Sequence, residues 1–332
     1  MHLDAQQPLV LQDYLHRRGW LDIEENISLL EKPGEGNMNY TLRVVTPNRT
    51  LIVKQSRPYV EKYPTIAAPA ERAVIEGRFY QKTQAIPMLA GQMPHLLGID
   101  EENNMLILED LGESSDFTFL YQPCRQLSEA DARALTDYLS ELHTHFSTER
   151  PDPAFTNRAM RALNYEHIIN YPFQEDNGFD LNSIQPGLQE LARPYKRDTD
   201  LKKRVKALGD VYVGNTPTGQ PGTLLHGDYY PGSWLQTADG TKIIDPEFCF
   251  YGPAEFDLGV MVAHLMMAEQ PPTVLHTVLT TYQSGSGFDE QLRKQFTGIE
   301  IMRRLIGLAQ LPLSLSLGTK RDLLDEAYSL LS

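Results

Sequence analysis

One change of pattern constrains this chain more than any other. Strand-forming segments fill roughly the first third, helix-forming segments fill the rest, and a single strand-bearing stretch interrupts the helices. From about Ile27 to Gln55 the residues read as three short strands. Tyr40 to Val45 and Leu51 to Lys54 are β-rich around the turn Thr46-Pro47-Asn48-Arg49, and an earlier hairpin turns at Gly34-Glu35-Gly36-Asn37. Ala67 to Gln84 has helical spacing, and Met105 to Glu109 is a compact apolar run suited to a strand. Ser128 to His145 predicts an amphipathic helix with Ser128 as N-cap, acids in the first turn, and an apolar stripe of Ala134, Leu135, Tyr138, Leu139 and Leu142. Helical pieces without clear ends run from Asn157 to Gly214. The exception to helix is Thr223 to Phe250, where Thr223-Leu224-Leu225 and Lys242-Ile243-Ile244 are short β-like runs around loops. This order predicts an α+β protein of two lobes with a cleft between them: a small β-rich N-lobe over residues 1–110 and a larger, mainly helical C-lobe over 111–332.

The bulk numbers narrow the function classes. A chain of 332 residues buries a sizeable core, and 41% hydrophobic with 22% charged residues is ordinary globular usage. The formal net charge of −14, without a Lys/Arg stripe, argues against nucleic-acid binding. No apolar run approaches the ~20 residues of a membrane span, and the opening MHLDAQQPLV lacks the pattern of a signal peptide, so a soluble cytoplasmic protein is expected. Cys124 and Cys249 stand in unrelated contexts and read as incidental thiols. The sequence leaves a homodimer open.

The residues able to do chemistry occur in an order that suits phosphoryl transfer, which needs charge neutralisation, a placed metal and an oriented hydroxyl rather than covalent work by the protein. Gly34, Gly36, Asn37 and Asn39 lie in a loop between two strands, where backbone N–H groups can approach triphosphate oxygens. Lys54 follows as a point charge for the nucleotide phosphates. Glu76 in the next helix is expected to hold it, with Glu71 as competitor. Glu109 and Leu111, in Leu106 to Gly112, are placed to offer backbone hydrogen bonds to an adenine edge. The densest signal is His226-Gly227-Asp228-Tyr229-Tyr230-Pro231-Gly232-Ser233, followed after a short hairpin by Ile243-Ile244-Asp245-Pro246-Glu247-Phe248. Two acidic turns flanking one hairpin divide the labour: Asp228 faces the acceptor hydroxyl, while Asp245 and Glu247 face Mg²⁺, a hard cation suited to carboxylates. Ser233 is either an oxygen ligand near the metal or a plain loop residue. His226 is read as bracing the backbone, and Asp257 as accepting backbone N–H bonds from the catalytic loop.

Together these segments resemble the aminoglycoside-phosphotransferase and choline-kinase superfamily, of protein-kinase-like fold, and within it most closely the methylthioribose kinases. The shared motifs are GEGNMN from Gly34 to Asn39, Lys54-Gln55-Ser56-Arg57-Pro58-Tyr59-Val60, the His226-Gly227-Asp228 loop with Ser233 five positions on, and Asp245-Pro246-Glu247-Phe248 followed by Phe250-Tyr251-Gly252-Pro253. Arg303-Arg304, ahead of Leu305 to Gln310, is similar to a paired arginine that in the family implies contact with substrate or transferring phosphate; guanidinium groups suit that role. The resemblance implies an ATP- and Mg²⁺-dependent kinase for a small hydroxylated metabolite, foremost the 1-hydroxyl of 5-methylthioribose or a related 5-deoxypentose. An aminoglycoside, choline or homoserine kinase is the alternative, and a nucleotide-binding pseudokinase is a reading of another class. The chain departs from the family pattern in being shorter, at Gln310 where His is usual, and at Tyr229-Tyr230 where Leu-His is commoner.

Overall fold

The computed structural model describes residues 1–34, 38–214, 222–285 and 287–332. The chain divides into two compact units, one comprising Met1–Ser115 with Gln236–Cys249, the other Asp116–Leu235 with Phe250–Ser332. This departs from the expected single boundary at residue 110. The segment carrying Asp245 and Glu247 groups with the first unit because its backbone and side chains bond there: Ile243 N–H donates to Gln92 O at 2.7 Å and Lys242 Nζ to Gly91 O at 2.7 Å.

The first unit is built on a five-stranded antiparallel sheet. Its strands β1 (Leu29–Glu31), β2 (Tyr40–Val45), β3 (Thr50–Gln55), β4 (Leu96–Asp100) and β5 (Met105–Glu109) lie in the order β1-β2-β3-β5-β4. Period-two alternation sorts the side chains of β3. Leu51 and Val53 join Leu42, Val44, Met105 and Ile107 in a core with Leu11, Tyr14 and Leu15 of helix α1 (Pro8–Arg18), so Lys54 takes the other face. Helix α1 was not expected from the sequence. Helix α2 (Arg72–Thr83) begins later than Ala67, because Tyr63–Ala67 pairs as a strand with Tyr59–Val60. It packs closely against the sheet: a Cβ at Gly77 would lie 2.7 Å from Ile99 Cδ1 and 3.0 Å from Leu106 Cδ1, so a larger residue beside Glu76 would displace those side chains.

The second unit is mainly helical. Helix α3 (Glu129–His145) starts where expected, with the Ser128 side chain accepting the Asp131 N–H. The strand Thr223–Leu225 pairs antiparallel with Phe250–Gly252 and delivers the loop His226–Ser233. Helices α4 (Glu255–Met267), α5 (Glu290–Ile306) and α6 (Leu317–Leu330) pack on a core including Phe256, Val260, Phe296, Ile299, Leu305 and Leu324. Among the described residues no helix is long and apolar enough to cross a membrane. Cys249 is buried and Cys124 exposed.

Candidate active site

In the first unit, β3, α2 and the segment after Gly240–Ile243 gather one charged cluster. Lys54 Nζ donates to Glu76 Oε1 at 2.8 Å and forms a second ion pair with Asp245 Oδ1. Burial disfavours the ammonium, but the two carboxylates outweigh it and hold Lys54 charged well above the usual lysine range. Burial pushes Glu76 up despite Lys54, and Asp245 adds to that push. Asp245 sits in the left-handed region at φ 63°, a conformation a non-glycine residue keeps only where its surroundings enforce it; its N–H donates to Tyr80 Oη at 3.3 Å. Its side chain remains 43% exposed.

Glu247 lies two residues on and is buried. Its Oε2 accepts from Asn39 Nδ2 at 3.0 Å and lies 3.3 Å from Arg72 Nε, and burial against that counter-charge raises its carboxyl to about 8. Asn39 thus points its amide at a carboxylate. Arg72 donates to the carbonyls of Arg57, Pro69, Met38 and Tyr59 at 2.5–3.2 Å, tying three stretches of the chain to one guanidinium. Sequence reasoning missed Arg72. Its position one turn before Glu76 on the same helix face was the available signal. Gly34 is exposed, while Gly36 and Asn37 lie outside the described residues. Glu109 N–H donates to His95 O at 2.8 Å and its Oε2 accepts from His95 N–H at 3.1 Å, and Leu111 is partly buried beyond the strand end.

In the second unit, the loop bearing Asp228 is braced from several sides. Asp257, in the first turn of α4, accepts the N–H groups of His226 at 2.7 Å and Gly227 at 3.0 Å, and Gly227 takes φ 87° to present both. Ser233 Oγ donates to the Asp228 carbonyl at 2.8 Å, so its hydroxyl hydrogen serves the loop. Asp228 itself meets Arg304 Nη2 at 3.4 Å. Burial raises the Asp228 carboxyl above its ordinary range against the charges of Arg304 and Arg303, a direction that suits a group accepting a proton. Arg303 and Arg304 share Glu300, at 3.0 and 2.6 Å, and Arg304 also lies over the Tyr230 ring at 5.0 Å.

The first unit thus holds an ion-paired strand lysine and a left-handed aspartate, and the second a braced loop aspartate. Residues 30–294 match APH, the phosphotransferase enzyme family. The chain belongs to that family. Its curated relatives include methylthioribose kinases: that of Exiguobacterium sibiricum is 28% identical, over 80% of this chain and 68% of the relative, and that of Bacillus cereus strain B4264 is 25% identical, over 89% and 83%. Among solved structures, the choline kinase LicA of Streptococcus pneumoniae shares the fold, with a TM-score of 0.52 at 13% identity over 98% of this chain and 99% of that one. This member of the phosphotransferase family is a small-molecule kinase with the protein-kinase-like α+β fold.

Two further groups support the kinase's Asp228 loop and escaped the sequence reading. His143 Nε2 lies 3.3 Å from Asp257 Oδ2, and its Nδ1 lies 2.7 Å from Tyr282 Oη, so the loop's anchor is itself anchored. Glu300 is completely buried beneath the arginine pair. An acid three and four residues before two arginines is the helix spacing that announces it.

Proposed function

We propose that this kinase transfers the terminal phosphoryl group of ATP to a hydroxyl of a neutral sugar, the 1-hydroxyl of 5-methylthioribose or of a related 5-deoxypentose. The observation that carries this reading is the contact of Arg304 with Asp228, with Arg303 beside it. Two buried guanidinium groups next to the acceptor carboxylate offer hydrogen bonds to sugar hydroxyls. The naming of the curated relatives supports the sugar. Retention of Lys54, Asp245 and Asp228 together argues against a pseudokinase.

In this reading Asp228 orients the acceptor hydroxyl and receives its proton. Lys54, fixed by Glu76, faces the nucleotide phosphates with the loop of Gly34, Gly36, Asn37 and Asn39, and Glu109 and Leu111 offer backbone to the adenine. Mg²⁺, a hard cation that binds proteins through one or two carboxylates rather than an all-protein cage, would be held on the nucleotide side of this site. The half-exposed Asp245 fits that demand, Glu247 backs it with Arg72 as counter-charge, and Ser233 stands as a further oxygen donor. When bound, the ion neutralises charge on the phosphates.

The test is ADP release with Mg-ATP and a panel of methylthioribose, 5-deoxyribose, homoserine, choline and aminoglycosides. The neutral sugars are expected to have the highest kcat/KM. A preference for choline or an aminoglycoside would overturn the acceptor class, and nucleotide binding without turnover of any acceptor would favour the pseudokinase.

A further inference from the structure

Behind the arginine pair runs a chain of buried polar groups that no step above uses. Tyr121 Oη lies 2.6 Å from His264 Nδ1, and His264 Nε2 lies 3.1 Å from Glu300 Oε1. Glu300 Oε1 in turn accepts from Arg304 Nε at 2.6 Å, and its Oε2 from Arg303 Nη1 at 3.0 Å. Tyr121, His264 and Glu300 are buried, and His264 and Glu300 are completely so.

The donors and acceptors can alternate in only one sense while His264 stays neutral. An ionised carboxylate donates nothing, so Nε2 must carry the hydrogen it offers to Glu300; Nδ1 then bears a lone pair and accepts the Tyr121 hydroxyl. The charged and titratable groups facing the imidazole agree with a neutral ring. Burial lowers His264 to about 4, with Arg304 and Arg303 opposing a further positive charge and Glu300 and Tyr230 on the other sides. Glu300 is held ionised, well below the carboxylate range, because the two guanidinium groups outweigh its burial.

We propose that Tyr121, His264 and Glu300 are positioning residues that set the guanidinium groups of Arg304 and Arg303 beside Asp228 and thereby determine how tightly the acceptor is bound. This rests on the reading that the arginine pair faces the acceptor. Arg304 has rotatable stem bonds, and without a fixed partner on Nε its planar fork would lose its orientation toward the 3.4 Å contact with Asp228. The carboxylate supplies that partner. The imidazole and the phenol fix the carboxylate in turn, much as outer hydrogen bonds orient the ligands of a metal.

Two measurements test the chain independently. ¹⁵N NMR of the full-length protein should show His264 as the neutral Nε2–H tautomer down to about pH 5.5. An Nδ1–H tautomer or an imidazolium there would overturn the chain. Kinetics with the best acceptor of the panel provide the second arm. Glu300→Gln should raise the acceptor KM about tenfold while leaving the ADP Kd within about twofold, with partial recovery in Glu300→Asp, and Tyr121→Phe should raise the KM about threefold with the ADP Kd likewise within about twofold. An unchanged acceptor KM in well-folded Tyr121→Phe and Glu300→Gln proteins, or an equal loss of acceptor and nucleotide affinity, would overturn the proposal. Should Glu300→Gln fail to fold, Tyr121→Phe alone decides the kinetic arm. Absence of turnover with every acceptor would sink the functional reading, while the imidazole signals would still decide the chain.

Discussion

Lys54 donates to Glu76 at 2.8 Å and pairs with Asp245, a residue 191 positions later in the chain. One ammonium therefore joins a strand, a helix and the segment Gln236–Cys249 within a single compact unit. Because Glu76 is fully buried and Asp245 is not, the two partners differ in what their loss would cost.

Lys54→Met leaves the Glu76 carboxylate buried without its cation. Removing one partner of such a pair costs about 3–5 kcal/mol, whereas the double variant Lys54→Met/Glu76→Gln should recover a large part of that loss. Urea unfolding of the two single variants and the double variant measures the coupling. Additive losses would show that the pair does not act as a unit.

Arg72 joins four carbonyls and Glu247 from a completely buried position. Arg72→Met should therefore destabilise the protein by more than about 3 kcal/mol, beyond the range of ordinary surface substitutions, and should weaken nucleotide binding with it. Thermal melts and ADP titrations check both, and a melting temperature equal to wild type would refute the hub.

Asp228→Asn keeps the shape of the acceptor side chain but removes its basicity. Turnover should fall by about 10²–10⁴-fold with nucleotide affinity unchanged, as expected for a group that acts on the acceptor proton. Steady-state rates and ADP titration separate the two effects. A variant with wild-type kcat would remove Asp228 from the chemistry.

His264 gives stability a definite pH dependence. Its folded value of about 4 lies below the ordinary 6.5, so the unfolded chain binds more protons between these limits. Stability due to this group is complete above about pH 6.5 and is lost as pH falls toward 4, by an amount on the order of 3 kcal/mol. Denaturant unfolding of wild type and His264→Asn across pH 4–7 should show a flatter profile in the variant. Parallel profiles would contradict a neutral, buried imidazole.

Much of the fold was legible along the chain, because the relevant signals are local. Strand β5 and the Ser128-capped helix α3 lie where a compact apolar run and capping predict them, and the strand Thr223–Leu225 leads into the loop His226–Ser233 as expected. Helix α1 escaped notice, since its apolar residues make only a short stripe whose burial depends on the sheet it covers. The late start of α2 has a similar cause: Tyr63–Ala67 becomes a strand only by pairing with Tyr59–Val60.

The site divides the same way. Residue type, order and spacing by themselves singled out Lys54, Asp228, Asp245 and Glu247, because charged groups in strand and turn contexts are readable without knowing their neighbours, whereas the Arg303-Arg304 pair stood out only through the family resemblance. Glu76 on Lys54 was the expected partner, whereas only the tertiary structure decided the others: Arg72 and Asn39 on Glu247, and Glu300 with His264 and Tyr121 behind the arginines. A buried charge is stable only when a counter-charge or hydrogen-bonding group meets it. That partner can come from any point in the chain, so its identity depends on how the backbone folds rather than on the residues alongside.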